Sequence, residues 1–526
     1  MARVIGIDLG TTNTLAAWAD GRVPRIVPTE RGHNLLPSVV AVTGGRIVVG
    51  HPARDQLLIH PASTITGCKR LLGRPFSSPV VQRLKRKLAW EVVEGKSGTA
   101  AARITDGGAA EVHELTDVSA VLLQQIARYA EAHLGGPVDG AVISVPAYYP
   151  LTQREAVRTA AKAAGLDVWR LVNEPTAAAL AYGIGRNINQ KLLVFDLGGG
   201  TFDVSVLEVQ GGTFQVLATG GDGALGGVDF DIRLCDHLLD RFEQENGVSV
   251  RDDAVVVQRI LYAAESAKQD LSLLQHTEVR LPFVKEKRGK PLDLALHVSR
   301  LQLIKLTEDL IERAARAVDD VLQQAGLSHR DIDEVLLAGG QTRMPAIQAR
   351  LEKQFGKPPR RGVNPDEVVA QGAALLARSL STSAVQLYDV LSLPVGIVAL
   401  DKSGVPRVQT VLPRNAQLPV EAVVDVVTGP SRRVDLYQIP GDETDPALCE
   451  PLGGVLLIDK QVGDPARLTL RIDADARLEI KEGTRVLELR ASRAIDDGGP
   501  FQLPKTDPRM PAVTSSTGLL GRLFRR

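Results

Sequence analysis

Lys191-Leu-Leu-Val-Phe-Asp196-Leu-Gly-Gly-Gly200-Thr-Phe-Asp203-Val-Ser-Val-Leu-Glu-Val209 is the stretch whose reading decides the fold. Leu192 to Phe195 make a short apolar run, Gly198 to Gly200 supply a turn that can take positive φ, and Val204, Val206 and Val209 return as a second strand. A hairpin of this kind exposes backbone N–H groups at its tip. With no Cβ in the way, those donors can approach a polyphosphate, while Asp196 at the strand end is placed to hold a hydrated Mg²⁺. The device recurs: Val4-Ile-Gly-Ile-Asp8-Leu-Gly-Thr11-Thr12-Asn13-Thr-Leu-Ala16 gives another apolar strand, aspartate, glycine turn with hydroxyls, and returning strand.

The rest of the chain must accommodate two such hairpins. Its 526 residues suffice for two or more domains with large cores. Lys plus Arg and Asp plus Glu balance at 62 each, so nothing global points to nucleic acid or an anionic membrane as the main partner. Cys68, Cys235 and Cys449 are widely spaced and odd in number, which argues for buried thiols in a reducing compartment rather than a disulfide framework. No run of roughly twenty apolar residues is present, and a cytoplasmic location is expected.

Between the hairpins, Asp117 to Leu134 reads as an amphipathic helix with an acidic cap and Gly135-Gly136 as its stop. Ala141 to Val145 is a buried strand, Thr152-Gln-Arg-Glu155 a capping box, and Val168 to Val172 a strand delivering Asn173-Glu174-Pro175 to a helix start. After the second hairpin, the glycine-dense Gly220 to Asp231 opens a helix, and a long helical region carries Glu265 and Lys268. Ser299 to Gln302 is a further capping box. Val335-Leu-Leu-Ala-Gly339-Gly-Gln-Thr-Arg343-Met-Pro345 is a strand, double glycine and helix start, a geometry that receives phosphate or sugar, and Asn364 to Glu367 caps a last helix ending near Ser379. Two similar α/β lobes facing across a cleft is the economical reading of residues 1–380. Taken alone, Lys69 reads as a solvated surface lysine and Glu174 as a helix-dipole partner or a catalytic group.

Residues 381–392 read as a linker. Beyond it the period changes to two, in Arg467 to Asp473, Arg477 to Lys481 and Val486 to Arg490, so residues 393–491 are expected to form a small antiparallel β domain. Residues 492–526, rich in Pro, Gly, Ser and Thr, are expected to be disordered, ending on the apolar and basic Leu519-Leu-Gly-Arg-Leu-Phe-Arg-Arg526.

Seven motifs in order resemble the 70-kDa heat-shock chaperone family of the bacterial DnaK type: Gly6 to Asn13, Lys69 to Gly73, Val145 to Tyr149, Asn173 to Gly183, Asp196 to Asp203, Leu225 to Asp231 and Gly339 to Pro345. One such glycine motif would be weak, since sugar kinases and actin-like filament proteins share it. The resemblance implies an actin-like, two-lobed ATPase followed by a small antiparallel β-sandwich. By it, Asp8 and Asp196 organise Mg²⁺ through waters, Thr11, Thr12 and Asn13 form the first phosphate loop, and Gly198, Gly199, Gly200 and Thr201 the second. Lys69 would contact the γ-phosphate and attacking water, Glu174 would support the metal's water shell, and Asp203 with Thr201 would orient the nucleophile. Glu265, Lys268, Ser272, Gly339, Gly340, Arg343 and Asp366 match the adenosine pocket. ATP or ADP with Mg²⁺ are the implied ligands, with K⁺ a further candidate.

Pro146 and Arg154 match the family's switch between nucleotide and linker, and Arg170 a position where J-domain co-chaperones act; a nucleotide-exchange factor is a further expected partner. Val385-Gln-Leu-Tyr-Asp389 resembles the apolar linker, but Gln386 stands where an aliphatic is usual, and burying its amide without a partner would cost about 1 to 3 kcal/mol. Ala476 stands where the sandwich turn prefers glycine, and the helical lid of full-length members has no counterpart after Arg490. The expected function is an ATP-dependent chaperone, slowly hydrolysing ATP to control affinity for extended or unfolded apolar peptides. The alternative is a nucleotide-dependent scaffold whose β domain binds one dedicated partner. A small-molecule kinase would leave the β domain and linker unexplained.

Overall fold

The computed structural model describes residues 2–490 except 22, 30–31, 187, 361, 363, 381–384, 401–403, 429–430 and 442. The tail expected at 492–526 lies outside the described residues.

Both glycine hairpins form. The strand Val4–Leu9 pairs antiparallel with Asn13–Trp18, and Asn189–Leu197 pairs antiparallel with Phe202–Gln210. Each leading strand has a parallel neighbour on its other side, Gly140–Val145 in one sheet and Glu334–Ala338 in the other. Each returning strand carries a further antiparallel neighbour, Arg25–Ile26 and Thr213–Asp222 respectively. The echo between the halves of the sequence is therefore an echo of sheet topology. The near-continuous apolar runs follow from helices covering both faces of each sheet.

Two helices, Glu174–Gly183 and Val368–Leu380, join the lobes. Their small side chains share one core with Val4 and Val142 of the first sheet and Leu192 and Val194 of the second. The approach is close enough to demand glycine: a Cβ on Gly372 would stand 1.7 Å from the Ala177 carbonyl oxygen, and one on Gly6 would stand 2.1 Å from the Ala374 nitrogen. The composite helix pair thus sets the spacing of the two sheets, and so of the two hairpin tips.

Several local readings are corrected. The helix at Thr152 begins at Leu151 after Pro150, with no side-chain cap, so no capping box forms there; the proline fixes the entry instead. Asp117 sits inside the first turn of Leu115–Leu134, whose N-cap is Glu114. Gly220 to Asp222 end a strand, and the helix starts only at Gly227, where Asp229 closes the box on the Gly226 backbone. Ser299 and Gln302 do form the expected box. The hairpin His276–Lys287 with Lys290–Ser299 was not anticipated, because its alternation is broken at Leu281/Lys285. Cys68, Cys235 and Cys449 are free and buried. No helix among the described residues is long and apolar enough to cross a membrane.

The segment expected to be a linker contains a strand among its described residues. Gln386–Tyr388 pairs in parallel with Thr213–Gln215 at the margin of the second lobe's sheet. Period two turns Gln386 outward and exposed, while Val385 and Leu387 pack against the helix-pair core. The amide penalty expected for Gln386 therefore does not arise.

Beyond the linker, two four-stranded antiparallel sheets share an apolar cluster that includes Val395, Leu436, Leu468 and Ile480. Val486–Arg490 makes less strand than its alternation suggested: pairing stops at Val486, and Arg490 bridges Gly454. Ala476 takes φ of 57°, the left-handed conformation that favours glycine. One end of this β region packs on the first lobe. Gln438 accepts from the Leu151 N–H at 2.6 Å, Arg170 pairs with Asp475 at 3.5 Å, Arg158 donates to the Asp475 carbonyl at 2.6 Å, and Arg74 forms a buried ion pair with Glu450.

Two substitutions test this packing by urea unfolding. Gly372→Ala should destabilise the lobes by about 1 to 3 kcal/mol, because the added methyl meets backbone that cannot move aside. Ala476→Gly should stabilise the β region by about 1 kcal/mol through relief of the left-handed strain. Unchanged midpoints would remove the respective constraint.

Candidate functional site

The two hairpin tips meet. A Cβ on Gly199 would lie 1.9 Å from the Thr12 hydroxyl oxygen, and one on Gly200 would lie 2.5 Å from the Thr11 methyl. The second tip is held from behind, since Gly198 and Gly199 carbonyls accept from the N–H groups of Gly227 and Val228, both at 2.9 Å. Gly339, at φ 80°, passes so close that a Cβ there would stand 2.4 Å from the Leu197 carbonyl group.

Beside the tips lies a buried charge cluster. Lys69, in a short helical turn at Cys68–Arg70, is 4% exposed and pairs with Glu174 at 2.5 Å. The surface reading of that lysine is thus overturned. Its backbone is tethered too, with the Tyr149 hydroxyl donating to the Lys69 carbonyl at 2.5 Å. Asp8 accepts from the Ser144 hydroxyl and Asp203 from the Tyr148 N–H, each at 2.9 Å. Asp196 and Asp203 oppose one another across the second hairpin.

Burial, and then the Glu174 charge, push the Asp8 carboxyl up to about 7 and the Asp203 carboxyl likewise to about 7. The same two causes raise Asp196 well above the carboxylate range. Burial by itself would lower Lys69; attraction to Glu174 and further neighbours including Asp8 outweighs it and holds the ammonium above its usual value. One buried ammonium thus faces four carboxylates, with the buried Arg154 guanidinium acting on Asp203 and Glu174 as well. Among the described residues no three His, Cys, Asp or Glu side chains converge as direct ligands of one metal ion. A hard oxygen set of separated carboxylates fits Mg²⁺ held largely through water and phosphate oxygens, the mode in which that cation keeps most of its hydration.

A cleft of about 560 Å³ opens next to the tips, lined by Thr12, Asn13, Glu265 and Asp366 together with His33, His51 and Arg54. Lys268 pairs with Asp231 at 2.8 Å and donates to the Gly227 carbonyl at 3.0 Å, tying its helix to the second tip. Ser272 donates to the Lys268 carbonyl at 3.3 Å. Arg343 pairs with Asp366 at 2.5 Å, and a Cβ on Gly340 would meet that same carboxylate at 2.8 Å. Sequence reasoning missed Arg54, which spans the cleft to Glu265 at 3.5 Å, and the His33–His51 ring pair at 4.5 Å. Neither sits in a motif, so only the fold brings them there.

Arg154 lies behind the cluster. It donates to the Ala147 carbonyl at 3.2 Å and to the Asn173 side chain at 2.5 Å, and Asn173 in turn donates to Asp389 of the linker at 2.8 Å. Burial lowers the Arg154 guanidinium to about 10 and raises Asp389. Pro146, on the same loop, accepts the Tyr149 N–H at 3.2 Å.

A family model described as Hsp70 protein matches residues 4–452, and the chain belongs to the Hsp70 family. Its mixed α/β architecture of several sheets fits that family's actin-like ATPase fold. Hsp70 proteins are in general chaperones that bind ATP or ADP with Mg²⁺, hydrolyse ATP, and engage peptides and co-chaperones.

The carboxyls raised by burial give a pH signature. An unfolded aspartate titrates near ~3.9, so between about pH 4 and about pH 7 the folded chain binds protons that the unfolded chain does not, and stability falls as pH rises through that window. Asp203→Asn should therefore stabilise the nucleotide-free chain at about pH 8, with the gain vanishing toward about pH 4. A gain independent of pH, read by thermal melts, would contradict the buried-charge account.

Proposed function

We propose that this chain is an ATP-dependent chaperone of the Hsp70 type, which binds and slowly hydrolyses ATP to control how tightly its C-terminal β region, residues 393–491, holds extended apolar peptides. The observation that carries this reading is the unbroken run of contacts from the carboxylate cluster to the linker. Asp203 is held by the Tyr148 N–H, the adjoining Ala147 carbonyl receives Arg154, and Arg154 reaches Asp389 through Asn173. The Asp389 carbonyl then accepts the Leu418 N–H of the β region at 2.8 Å. A change of charge at the cluster and a change of linker docking are thus mechanically joined, which is what a coupling free energy between two sites needs.

In this reading Asp8 and Asp196 hold the metal's water shell, residues Thr11 to Asn13 and Gly198 to Thr201 cradle phosphates with backbone N–H groups, and Glu265, Lys268, Ser272, Gly339, Gly340, Arg343 and Asp366 shape the adenosine end of the cleft. The bound Mg²⁺ would offset phosphate charge as bond cleavage proceeds. Lys69, fixed by Glu174, supplies a buried positive charge on the protein side, and Asp203 with Thr201 orients the nucleophile. Arg170, occupied with Asp475 while the β region is docked, becomes available to a J-domain partner on release. The exposed Phe283, within the hairpin of the second lobe, and Leu301, just after it, offer apolar contact to an exchange factor.

Lys69→Ala should leave nucleotide binding largely intact and cut single-turnover hydrolysis by ~10²-fold, the scale of losing one electrostatic stabiliser; undiminished turnover would take Lys69 out of the chemistry. A fluorescein-labelled apolar peptide should bind the full chain with different affinities in ATP and in ADP, and Asp389→Ala should erase the difference. Equal affinities in the wild-type chain would exclude coupling, and a single tight folded partner with no peptide binding would favour a nucleotide-dependent scaffold instead.

A further inference from the structure

The strand Val420–Val427 forms the margin of its sheet, paired with Pro465–Ile472 alone among the described residues. Its exposure alternates along its whole length, placing Glu421, Val423, Asp425 and Val427 on the open face. Val423 is 57% and Val427 72% exposed. The intervening Ala422, Val424 and Val426 pack on the shared core and remain only partly covered. A long marginal strand with apolar residues and unpaired backbone groups is a template for strand addition, and folded proteins ordinarily cover such margins.

The chain carries a matching segment. Leu520-Gly-Arg522-Leu523-Phe524-Arg525-Arg526 alternates apolar with basic where the strand alternates apolar with acidic. Laid antiparallel with Phe524 opposite Val423, it sets Arg526 against Glu421, Arg522 against Asp425 and Leu520 against Val427. On the other face Leu523 falls opposite Val424 and covers the incompletely buried side of the core. A parallel arrangement with the same central pair also sets Arg522 against Glu421 and Arg526 against Asp425, but it places Arg525 on Val424, whereas the antiparallel one places Arg525 on the smaller Ala422, keeps Leu523 on Val424 and adds the Leu520–Val427 pair. Directly opposed apolar and opposite-charge pairs are the units of sheet stabilisation, so the antiparallel register is the one that side-chain chemistry selects.

We propose that residues Leu520–Arg526 add to the Val420–Val427 strand of the same chain as an antiparallel fifth strand of that sheet. Reach does not prevent it: the connection from Arg490 to Leu520, at up to ~3.3 Å per residue, spans on the order of 100 Å, several times the ~13 Å radius of gyration of a 100-residue domain. Tethering helps, since a linked segment meets its site at an effective concentration on the order of millimolar, enough to occupy a site of only ~100 μM intrinsic affinity about nine times in ten. Asp425, which already pairs with Arg467 across the sheet at 2.7 Å, would then lie between two guanidinium groups.

Disulfide trapping in the full chain tests the register, because Cys68, Cys235 and Cys449 are buried. Val427→Cys with Leu520→Cys should cross-link within one chain under mild oxidation at least about fivefold faster than Glu421→Cys with Leu520→Cys, which the antiparallel register holds about 20 Å apart. Equal rates for the two pairs would overturn the proposal. So would a covalent dimer as the main product, which would assign the strand to a second copy. As an independent readout, amides of residues 420–427 should exchange about tenfold faster in the doubly substituted L523D/F524D chain than in the wild type; identical exchange would also overturn it. Both readouts are made without peptide or nucleotide, so they stand or fall separately from the chaperone reading.

Discussion

Four carboxylates, Asp8 half-buried and the other three buried, around one buried ammonium are the constraint on which the rest of the structure depends. Asp8, Asp196, Asp203 and Glu174 are drawn together by the convergence of two hairpins and a helix start, and Lys69 answers only one of them directly. Desolvation of that much like charge is expensive, which is why the aspartates sit far above the usual carboxylate range without a bound cation. Close packing elsewhere holds the cluster together. The Gly372 and Gly6 contacts of the joining helices hold the sheets at a fixed separation, and the glycine tips can approach only because no Cβ stands between them. Ligands or protons that neutralise the charge of such a site favour the folded state.

The contacts between the cluster, the 386–389 segment and the β region are polar and short. Arg154 and Asn173 sit between the loop that holds Asp203 and the linker's Asp389, while Arg74, a few residues beyond Lys69, is paired with Glu450 of the β region. Arg74 also donates to the Arg70 carbonyl at 3.1 Å, so the turn carrying Lys69 and the face of the β region share one guanidinium. Removing one partner of a buried ion pair of this kind costs about 3 to 5 kcal/mol, because the remaining charge is left buried without compensation. The linker strand then adds backbone pairing on the sheet margin.

Much of this was legible in the residues. Short apolar runs and glycine turns announced both hairpins, since only a few residue types permit their geometry, and the Ser299–Gln302 box was visible because both capping partners lie within one turn. The family resemblance singled out Lys69, which its own neighbourhood would have left on the surface. The elements that were missed depend on distance in sequence: Arg54 meets Glu265 and Arg74 meets Glu450 only after the lobes and the β region have packed. Gln386 was misjudged for a related reason, because which face of a strand is buried is settled by its partner sheet rather than by its composition. Ala476 shows the reverse, a turn position whose preference for glycine was read from the resemblance and whose left-handed φ the fold retains.

The central claim is that the state of the carboxylate cluster and the docking of the linker strand are one equilibrium. Amide exchange of residues 386–388 and of their neighbours 213–215, followed in the full chain with Mg²⁺·ATP and again with Mg²⁺·ADP, measures it most directly. The account predicts strong protection of both segments in ATP and its loss together in ADP; protection that is the same in both nucleotides would contradict it.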